Sequence, residues 1–312
     1  MNNLWEGILN LKSSIREYED TPITSCYLNL TTGEAIINKD LTDTTAQLLL
    51  VFKEEIAIPD KQLAIRVLNN RQLTFYNDEQ LSTASKLFLK QYLPYCFLSI
   101  IAKQHKRAIA VAHFAQTLDG KIATENGDSK WIGNKENLLH AHRMRALCNG
   151  VVVGSNTLEI DAPKLTVRHV NGPDPTRIII GNPPAVFDSL LESSTAPIHV
   201  FCSKPLEELS AVKYHLLSTE NGLICPKKIL EKLYHLNIHS VYIEGGAHTT
   251  SHFFEMGAID ILQLHIAPIL FGSGTNGIQL PTINKVKEGK QFDLYHFLPV
   301  GDSMMFTGFN KI

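Results

Sequence analysis

The strongest local signal for chemistry in this chain is SVYIEGGAHTTSHFF, residues 240–254. An apolar run typical of a strand ends in Glu244, and Gly245 and Gly246 then allow a tight turn. Hydroxyl residues at 249–251 are the types that cap a following helix. Backbone N–H groups at a helix N-terminus favour a phosphate. The stretch is not GxGxxG, so an ordinary strand-to-helix turn with glycines for packing stays open.

Two arginines could hold an anion near this turn. Thr157 and Asp161 follow the apolar run GVVVG, Arg168 closes the same segment, and Arg145 lies on the preceding predicted helix. A planar guanidinium binds phosphate or carboxylate bidentately. The two arginines together therefore predict an anion site, although each alone is better explained as a surface or salt-bridge residue.

A long polar loop, TLDGKIATENGDSKWIG, follows the apolar run AIAVAHFA. Asp119 and Gly120 predict a chain reversal, and Ser129 and Trp131 bracket a position where a large flat group could be clamped. The alternative is a surface loop in which Trp131 packs locally.

Composition narrows the function classes. The chain has 312 residues, a formal net charge of −2 and 44% hydrophobic residues, so nothing draws it as a whole toward nucleic acid or an anionic membrane. Five scattered cysteines without a CxxC pair predict a reducing compartment and no disulfide framework. The N-terminus is not of signal-peptide type, and the apolar segment 92–102 is too short to span a bilayer, so we predict a cytoplasmic protein.

The histidines do not form a convincing metal site in the sequence. His248 and His252 stand four residues apart, which suits one helix face, but there is no HExxH motif and no third evident ligand. His140 and His142 are interpreted as ordinary surface or core residues. We therefore predict no metal.

Alternating strand and helix patterns from residue 108 onward must position the candidate residues. Short β-branched runs alternate with helical segments such as NKENLLHAHRMRALC, which Asn134 can cap and in which Leu138 is an apolar position. This rhythm predicts an α/β domain over 108–312 with a mostly parallel central sheet. Ligands of such sheets bind beyond the carboxyl ends of the strands.

Residues 1–107 have a different texture and predict a smaller α+β module of unassigned role. We expect a helix over 4–19 and a hairpin over 25–38. The segment 81–96 should form a second helix that stops before Pro94. The basic segment KQHKR, 103–107, is interpreted as a solvated linker.

Taken together, the segments over 108–312 resemble the reductase domain of the riboflavin-biosynthesis deaminase–reductases. TLDGKIATENGDSKWI, HRMRALCNGVVVGSNTLEIDAPKLTVR, RIIIGN and YIEGGAHTTSHFFEMGAIDILQLHIAPILFGSG fall in the family's order. The resemblance implies a dihydrofolate-reductase-like α/β fold, a homodimer, and NADPH-dependent reduction. The implied substrate is a 5-amino-6-(5-phosphoribosylamino)pyrimidine, which becomes its ribitylamino product.

The resemblance also implies site residues. On the substrate side it places His113, Ser129, Arg145, Leu165, Arg168 and Glu244. Facing NADPH it places Ala115, Gln116, Trp131, Thr157, Asp161, Asn182, Gly245, Gly246, Ala247, His248, Thr249, Thr250, Ser251 and His252. Glu244 is the candidate catalytic residue, either assisting proton movement or only accepting hydrogen bonds from the ribose.

Three departures from the family pattern leave alternatives open. His113 stands where bacterial members commonly have lysine, Gly181 and Asn182 replace an aspartate usual after that strand, and residues 1–107 lack the zinc deaminase motif. The N-terminal part is thus a degenerate relic or an unrelated module. The alternative functions are a non-catalytic nucleotide-binding or regulatory homologue, and a reductase of a related pyrimidine or pteridine.

Overall fold

The computed structural model describes residues 2–17, 23–37, 47–68, 72–130, 132–183, 187–207 and 209–310. The chain divides into two compact units, Met1–Gln104 and His105–Ile312. No helix within these described ranges combines the length and the apolar character that crossing a membrane requires.

The N-terminal unit is a five-stranded mixed sheet with helices. Its strands are β1 (Ser25–Asn29), β2 (Ala35–Ile37), β3 (Gln47–Val51), β4 (Ala64–Leu68) and β5 (Gln72–Tyr76), and its helices are α1 (Asn2–Glu17), α2 (Thr83–Tyr92) and α3 (Leu98–His105). The sheet order is β2-β1-β3-β4-β5, in which only the β3–β4 pair is parallel. α1 buries Trp5, Ile8 and Leu11 at helical spacing, as its sequence pattern predicts.

The predicted stop of the second helix before Pro94 is confirmed, whereas the predicted linker is wrong in part. α2 does end at Tyr92, but a 3-10 helix, Leu93–Phe97, and then α3 follow without a break. Pro94 lies at the start of the 3-10 helix, where its missing N–H costs no hydrogen bond. The first residues of the expected linker, 103–105, consequently belong to α3.

The C-terminal unit is built on a nine-stranded mixed sheet of the expected α/β class. Its chief strands are β6 (Ile109–Gln116), β8 (Gly150–Gly154), β9 (Thr176–Ile180), β10 (Ile198–Cys202), β11 (Val212–Leu216), β14 (Ser240–Ile243), β15 (Ile261–Ile266), β17 (Leu294–Val300) and β18 (Ser303–Phe309). Their order is β11-β10-β9-β8-β14-β6-β15-β18-β17. Neighbours from β11 to β15 pair in parallel, while the β17–β18 hairpin adds antiparallel strands at one edge.

Two small ribbons and the helices complete this unit. The ribbons are β7 (Lys121–Ala123) with β16 (Thr275–Asn276), and β12 (Thr219–Glu220) with β13 (Leu223–Ile224). The helices are α4 (Lys135–Leu147), α5 (Ser155–Asp161), α6 (Asp188–Ser193), α7 (Pro226–His235) and α8 (Ala247–Glu255). The central strands are buried, with apolar side chains from α7 and α8 packed against β6, β8 and β14. The strand ends at the site are therefore held by a close-packed core.

The α4 helix begins where its sequence predicts, but its buried face differs from the expectation. Asn134 caps it, because its Oδ1 accepts a hydrogen bond from the Asn137 N–H at 2.8 Å. Leu138 is 43% exposed, whereas His140 and His142 are buried. The buried imidazoles hydrogen-bond with polar groups of neighbouring segments in the same unit, and these bonds make their burial possible.

The start of α8 also differs from the expectation. Hydroxyl residues at 249–251 were expected to cap it, but the helix already begins at Ala247, after Gly246 at φ 61° with no side-chain cap. Glycine adopts this left-handed backbone conformation without steric cost, so it turns the chain directly from the strand end into the helix. The hydroxyl residues therefore lie inside the first turns of α8.

Candidate functional site

A cavity of about 730 Å³ lies at the carboxyl ends of β8 and β9, between α5 and the start of α8. This is the end of a parallel sheet at which ligands bind. Many residues expected to face the cofactor line it: Thr157, Asp161, Asn182, Gly246, Ala247, His248, Thr249 and His252. Residues that are distant in sequence thus meet around one space.

Other expected cofactor residues do not line this cavity. Gly245 is the residue immediately before Gly246, where the lining begins in this turn. Thr250 and Ser251 are buried on the inner side of α8. Ala115 and Gln116 lie at the end of β6 and are not part of the lining. Trp131 lies outside the described residues.

Glycines let the backbone come close on several sides of the cavity. A Cβ at Gly245 would stand 2.7 Å from Val153 Cα, and a Cβ at Gly154 would stand 2.6 Å from Thr249 Oγ1. Both distances are shorter than real Cβ atoms allow, so only glycine permits this approach of β8 and α8. The first intrahelical bond of α8 runs from the Thr250 N–H to Gly246 O at 3.1 Å.

The N-terminus of α8 can bind an anionic group. The backbone N–H groups of its first turn have no partner within the helix, and they lie beside cavity-lining Gly246, Ala247 and His248. Together with the positive end of the helix dipole, such groups bind phosphate oxygens. The start of this nine-residue helix therefore suits a negatively charged group such as a phosphate.

Arg145 and Glu244 form a nearly buried ion pair at the other side of the turn. Arg145 donates from Nε to Glu244 Oε1 and from Nη2 to Oε2, both at 2.6 Å, and the side chains are 13% and 15% exposed. Burial alone would lower the pKa of Arg145, but the charge and hydrogen bonds of Glu244 outweigh it and raise the pKa. This bidentate pair fixes both side chains.

Arg168 meets Arg145 at Thr166, so the expected convergence of the two arginines is present. Arg145 Nη1 donates to Thr166 O at 2.9 Å, and Arg168 Nη1 donates to Thr166 Oγ1 at 2.7 Å. Burial, followed by repulsion from Arg145, lowers the pKa of Arg168. Arg168 is exposed and Arg145 is partly buried, so Arg168 is the guanidinium more open to a ligand.

Leu165 brings this segment into position through an uncommon backbone conformation. Its φ is +54°, and its side chain is buried at 1% exposure. Left-handed backbone at a non-glycine residue costs energy and is found at functional sites. The buried leucine thus anchors the segment that carries Thr166 and Arg168.

His113 lies in a buried polar cluster and does not line the cavity. Its Nε2 lies 3.0 Å from Asn137 Oδ1, and its ring stacks on Tyr242 at 5.6 Å between centroids. His140, next to it, lies 3.0 Å from Gln263 Oε1 through its own Nε2. Burial, followed by the charges of neighbouring histidines, holds the pKa of His113 well below its ordinary value.

Two expectations are left: a role for Ser129 at the substrate and the question of a metal site. Ser129 is exposed in the loop before α4 and does not line the cavity. Among the described residues, no group of three or more His, Cys, Asp and Glu side chains could hold a metal ion. His252 instead donates from Nε2 to Ile224 O at 3.1 Å.

Sequence reasoning missed several residues of the site. Thr166, which joins the arginines, escaped notice although it stands between two residues that were named. Ser203, Leu223 and Thr275 line the cavity from three distant segments. No local signal distinguishes these three residues, because only the packing of their segments brings them to the cavity.

Comparisons with known proteins agree with this geometry. Residues 109–306 match the family model described as the RibD C-terminal domain. The riboflavin biosynthesis protein RibD of Aquifex aeolicus is 37% identical over 175 residues, covering 54% of this chain and 49% of that protein. The 2,5-diamino-6-ribosylamino-4(3H)-pyrimidinone 5′-phosphate reductase of Methanothermobacter thermautotrophicus is 30% identical over 174 residues, covering 53% of this chain and 80% of that protein.

Solved structures show the same fold. The Thermotoga maritima diaminohydroxyphosphoribosylaminopyrimidine deaminase/5-amino-6-(5-phosphoribosylamino)uracil reductase has a TM-score of 0.63 at 19% identity, covering 100% of both chains. The Saccharomyces cerevisiae riboflavin biosynthesis reductase has a TM-score of 0.54 at 19% identity, covering 68% of this chain and 99% of that one. The chain spans about half the length of the first RibD relatives it matches. By its match over most of the C-terminal unit, the chain belongs to the RibD C-terminal domain family.

Proposed function

We propose that the chain is an NADPH-dependent reductase in riboflavin biosynthesis. It converts a 5-amino-6-(5-phosphoribosylamino)pyrimidine into its ribitylamino product. In this proposal residues 108–312 carry the reaction, and the protein works in the cytoplasm on a small molecule. The described cysteines, all free and buried, agree with a reducing compartment.

One observation carries the proposal: the turn at Glu244, Gly245 and Gly246 joins two sites. On one side Glu244 pairs with Arg145, beside Arg168, which suits a substrate phosphate. On the other side Gly246 and the start of α8 line a cavity that fits a dinucleotide. A hydride donor and a phosphorylated acceptor would therefore lie next to each other, as hydride transfer demands.

The reaction asks the protein for positioning more than for an activated nucleophile. When the substrate's sugar ring opens, C1′ becomes an imine-like carbon that can accept hydride. The bound dinucleotide would supply that hydride. The chain's own groups would hold the two reactants in line and keep the sugar in its open form.

We assign the chain's residues to these tasks. Arg168 binds the 5′-phosphate, and Arg145 provides a second positive charge fixed by Glu244. Each Glu244 oxygen keeps a second lone pair, so the carboxylate can also accept a hydrogen bond from a ribose hydroxyl. The cavity-lining residues Thr157, Asp161, Asn182, 246–249 and His252 face NADPH. Ser129, His113 and Leu165 complete the substrate side.

The direct test mixes purified protein, NADPH and the ribosylaminopyrimidine phosphate. We expect loss of the nicotinamide absorbance band together with a product heavier by two hydrogens. Omission of the 5′-phosphate from the substrate serves as the control and should weaken turnover. No loss of absorbance across a range of pH would refute the proposal. NADPH binding without turnover would instead favour the non-catalytic homologue.

For the N-terminal unit we propose a deaminase-type fold without its metal. The alignment with the T. maritima deaminase/reductase covers the whole chain, including this unit. Zinc deaminases use histidine and cysteine ligands in H-x-E and P-C-x-x-C motifs. Residues 1–104 contain no histidine, and Cys26 and Cys96 are far apart in sequence. These residues do not fit a zinc site, so we propose that this unit does not remove the amino group. Stoichiometric zinc with ammonia release would overturn this.

We also propose a homodimer. The edge hairpin exposes Tyr295 at 60%, Phe297 at 52% and Met304 at 41%, and exposed apolar patches of this kind mark contact surfaces. Sedimentation of the wild type should give a dimer mass, and Phe297→Glu should shift it toward the monomer. A wild-type monomer at micromolar concentration would refute the proposal.

A further inference from the structure

A segment that follows β15 reaches the candidate cofactor cavity, and none of the assignments above includes it. We call residues 269–279 the strap. Thr275, in its middle, lines the cavity. The strap starts beside the 117–121 turn, where the Leu118 N–H donates to Ile269 O at 2.9 Å.

Asp119 holds the first part of the strap by its carboxylate. Oδ2 accepts a hydrogen bond from the Gly272 N–H at 2.7 Å, and Oδ1 accepts one from the Phe271 N–H at 3.3 Å. Thr117 Oγ1 donates to the same Oδ1 and so orients the carboxylate. The bond from Thr117, with those from Gly272 and Phe271, outweighs burial and lowers the pKa of Asp119. A residue that only closed its own turn would not bind backbone groups 152 and 153 residues away.

The middle of the strap continues as β16 along β7. Gly277 N donates to Gly120 O at 3.0 Å, and Lys121 Nζ donates to Asn276 Oδ1 at 2.6 Å. Gly274 has φ +138°, and a Cβ there would collide with the Ala123 carbonyl oxygen. The strap therefore lies directly on the ribbon strand that follows Asp119.

The far end of the strap is attached to the cavity helix. The Gln279 N–H donates to Ser251 Oγ at 2.9 Å, and Ser251 lies on α8. The strap is thus held at its start by Asp119, in its middle by β7 and at its end by the helix whose N-terminus fits the pyrophosphate. Thr275 is at the cavity because these attachments fix the register of the segment between them.

We propose that Asp119 is a positioning residue for cofactor binding: by holding the backbone at 271–272 it keeps Thr275 in the wall of the cavity. The inference rests on the proposed function only in naming the occupant as a nicotinamide dinucleotide. Asp119 does not touch the cofactor; it acts through the strap. When the carboxylate is removed, the strap keeps its closed register only part of the time, and the apparent dissociation constant rises by the reciprocal of that fraction, so a register kept about a tenth of the time weakens binding about tenfold.

The test compares Asp119→Ala and Asp119→Asn with the matched control Glu288→Ala. Glu288 also accepts two backbone N–H groups, from Asn284 at 2.9 Å and Lys285 at 3.3 Å, but it does not line the cavity. We expect Asp119→Ala to raise the NADPH dissociation constant about tenfold, because bonds to a charged acceptor are lost. Asp119→Asn keeps one carbonyl oxygen for Gly272 and should show a smaller rise. Glu288→Ala should leave the NADPH dissociation constant unchanged.

Two further readouts separate positioning from a general structural role. In NADPH-free protein, hydrogen exchange of amides 271–277 should speed up in Asp119→Ala while exchange in β8 and β14 stays as in the wild type. In turnover, the KM for NADPH should rise about tenfold while kcat at saturating NADPH stays within about twofold.

The outcomes distinguish this proposal from the proposed function. Unchanged exchange at 271–277 overturns the attachment by Asp119, and an unchanged NADPH dissociation constant overturns its link to the cavity. Faster exchange throughout the C-terminal unit in both Asp119 variants would also overturn it, since the role would then be general stability. If wild-type protein binds no NADPH, the proposed function and the link fail together, while the exchange result still decides the attachment.

Discussion

Replacing Arg145 or Glu244 should destabilise the C-terminal unit, and replacing both should cost little more than replacing one. The two side chains share two hydrogen bonds of 2.6 Å and are 13% and 15% exposed. Removing one member of a nearly buried ion pair leaves the other charge without its partner, which costs more than the pair contributes. The relevant variants are Arg145→Met and Glu244→Gln, which keep side-chain length.

The magnitude follows from burial and geometry. Fully buried pairs lose about 3–5 kcal/mol when one partner is removed, and the residual exposure here puts Arg145→Met at about 3 kcal/mol. Glu244→Gln keeps an acceptor for Arg145 Nε and should cost about 2 kcal/mol. We expect the double variant to cost about 3 kcal/mol, so that the coupling energy is about 2 kcal/mol.

Hydrogen exchange of the slowest amides in β8 and β14 is the suitable assay. A two-unit chain need not unfold in one step, and exchange reports the C-terminal unit alone. The exposed pair Lys228–Glu220 is the matched control, with its N and O atoms 2.9 Å apart and side chains 45% and 57% exposed. Because both side chains are solvated, its cycle should give a much smaller coupling than that of Arg145 and Glu244.

Additive effects would refute this reasoning. If the coupling at Arg145 and Glu244 fell below about 0.5 kcal/mol, the pair would be no stronger than the surface control. If Arg145→Met cost less than about 1 kcal/mol and acted only on the KM of the phosphorylated substrate, Arg145 would be primarily a phosphate ligand. The structural account of a fixed carboxylate would then be wrong.

Three other predictions follow from the same unit. Arg168→Ala should raise the KM of the phosphorylated pyrimidine at least tenfold and leave a dephosphorylated analogue unaffected; equal effects on both would argue against a phosphate ligand. Burial lowers the pKa of His140 and His265 from 6.5 to about 4 and that of His142 to about 3. As pH falls below about 6.5, the unfolded chain therefore binds more protons than the folded unit. The free energy of unfolding of the C-terminal unit should fall by about 1.4 kcal/mol per histidine between pH 7.5 and 5.5. Hydrogen exchange measures this change, and a constant free energy of unfolding would contradict it. Gly245→Ala should destabilise the unit by about 1–3 kcal/mol and weaken NADPH binding, because its Cβ would meet the β8 backbone at 2.7 Å; normal NADPH affinity would show that the close approach is dispensable.

The buried cluster around His113 favours histidine over the lysine that the family resemblance leads one to expect at this position. A neutral imidazole can stack on Tyr242 and hydrogen-bond Asn137 without placing a full charge in the buried cluster. A lysine at the same place would need either a counter-ion or access to water.

Most elements of the C-terminal unit, and the turn at Glu244, Gly245 and Gly246, can be predicted from local sequence. β-Branched runs predict buried strands, and Asn134 and Pro226 mark the starts of α4 and α7 because cap and proline chemistry is local. Glu244 followed by two glycines predicts a strand end that turns into a helix, since only local backbone freedom is needed. The α/β class follows from the alternation of these signals.

Which of these groups come into contact depends on how the chain folds. Arg145 and Glu244 are 99 residues apart, and Asp119 and Gly272 are 153 apart, so no local pattern links them. The sequence left open whether His140 lies at the surface or in the core; it is buried and hydrogen-bonds Gln263 on β15, whereas Leu138, an apolar position of α4, faces solvent. Periodicity predicts which face of a helix is apolar, but a buried polar residue depends on a partner that only the packed sheet supplies.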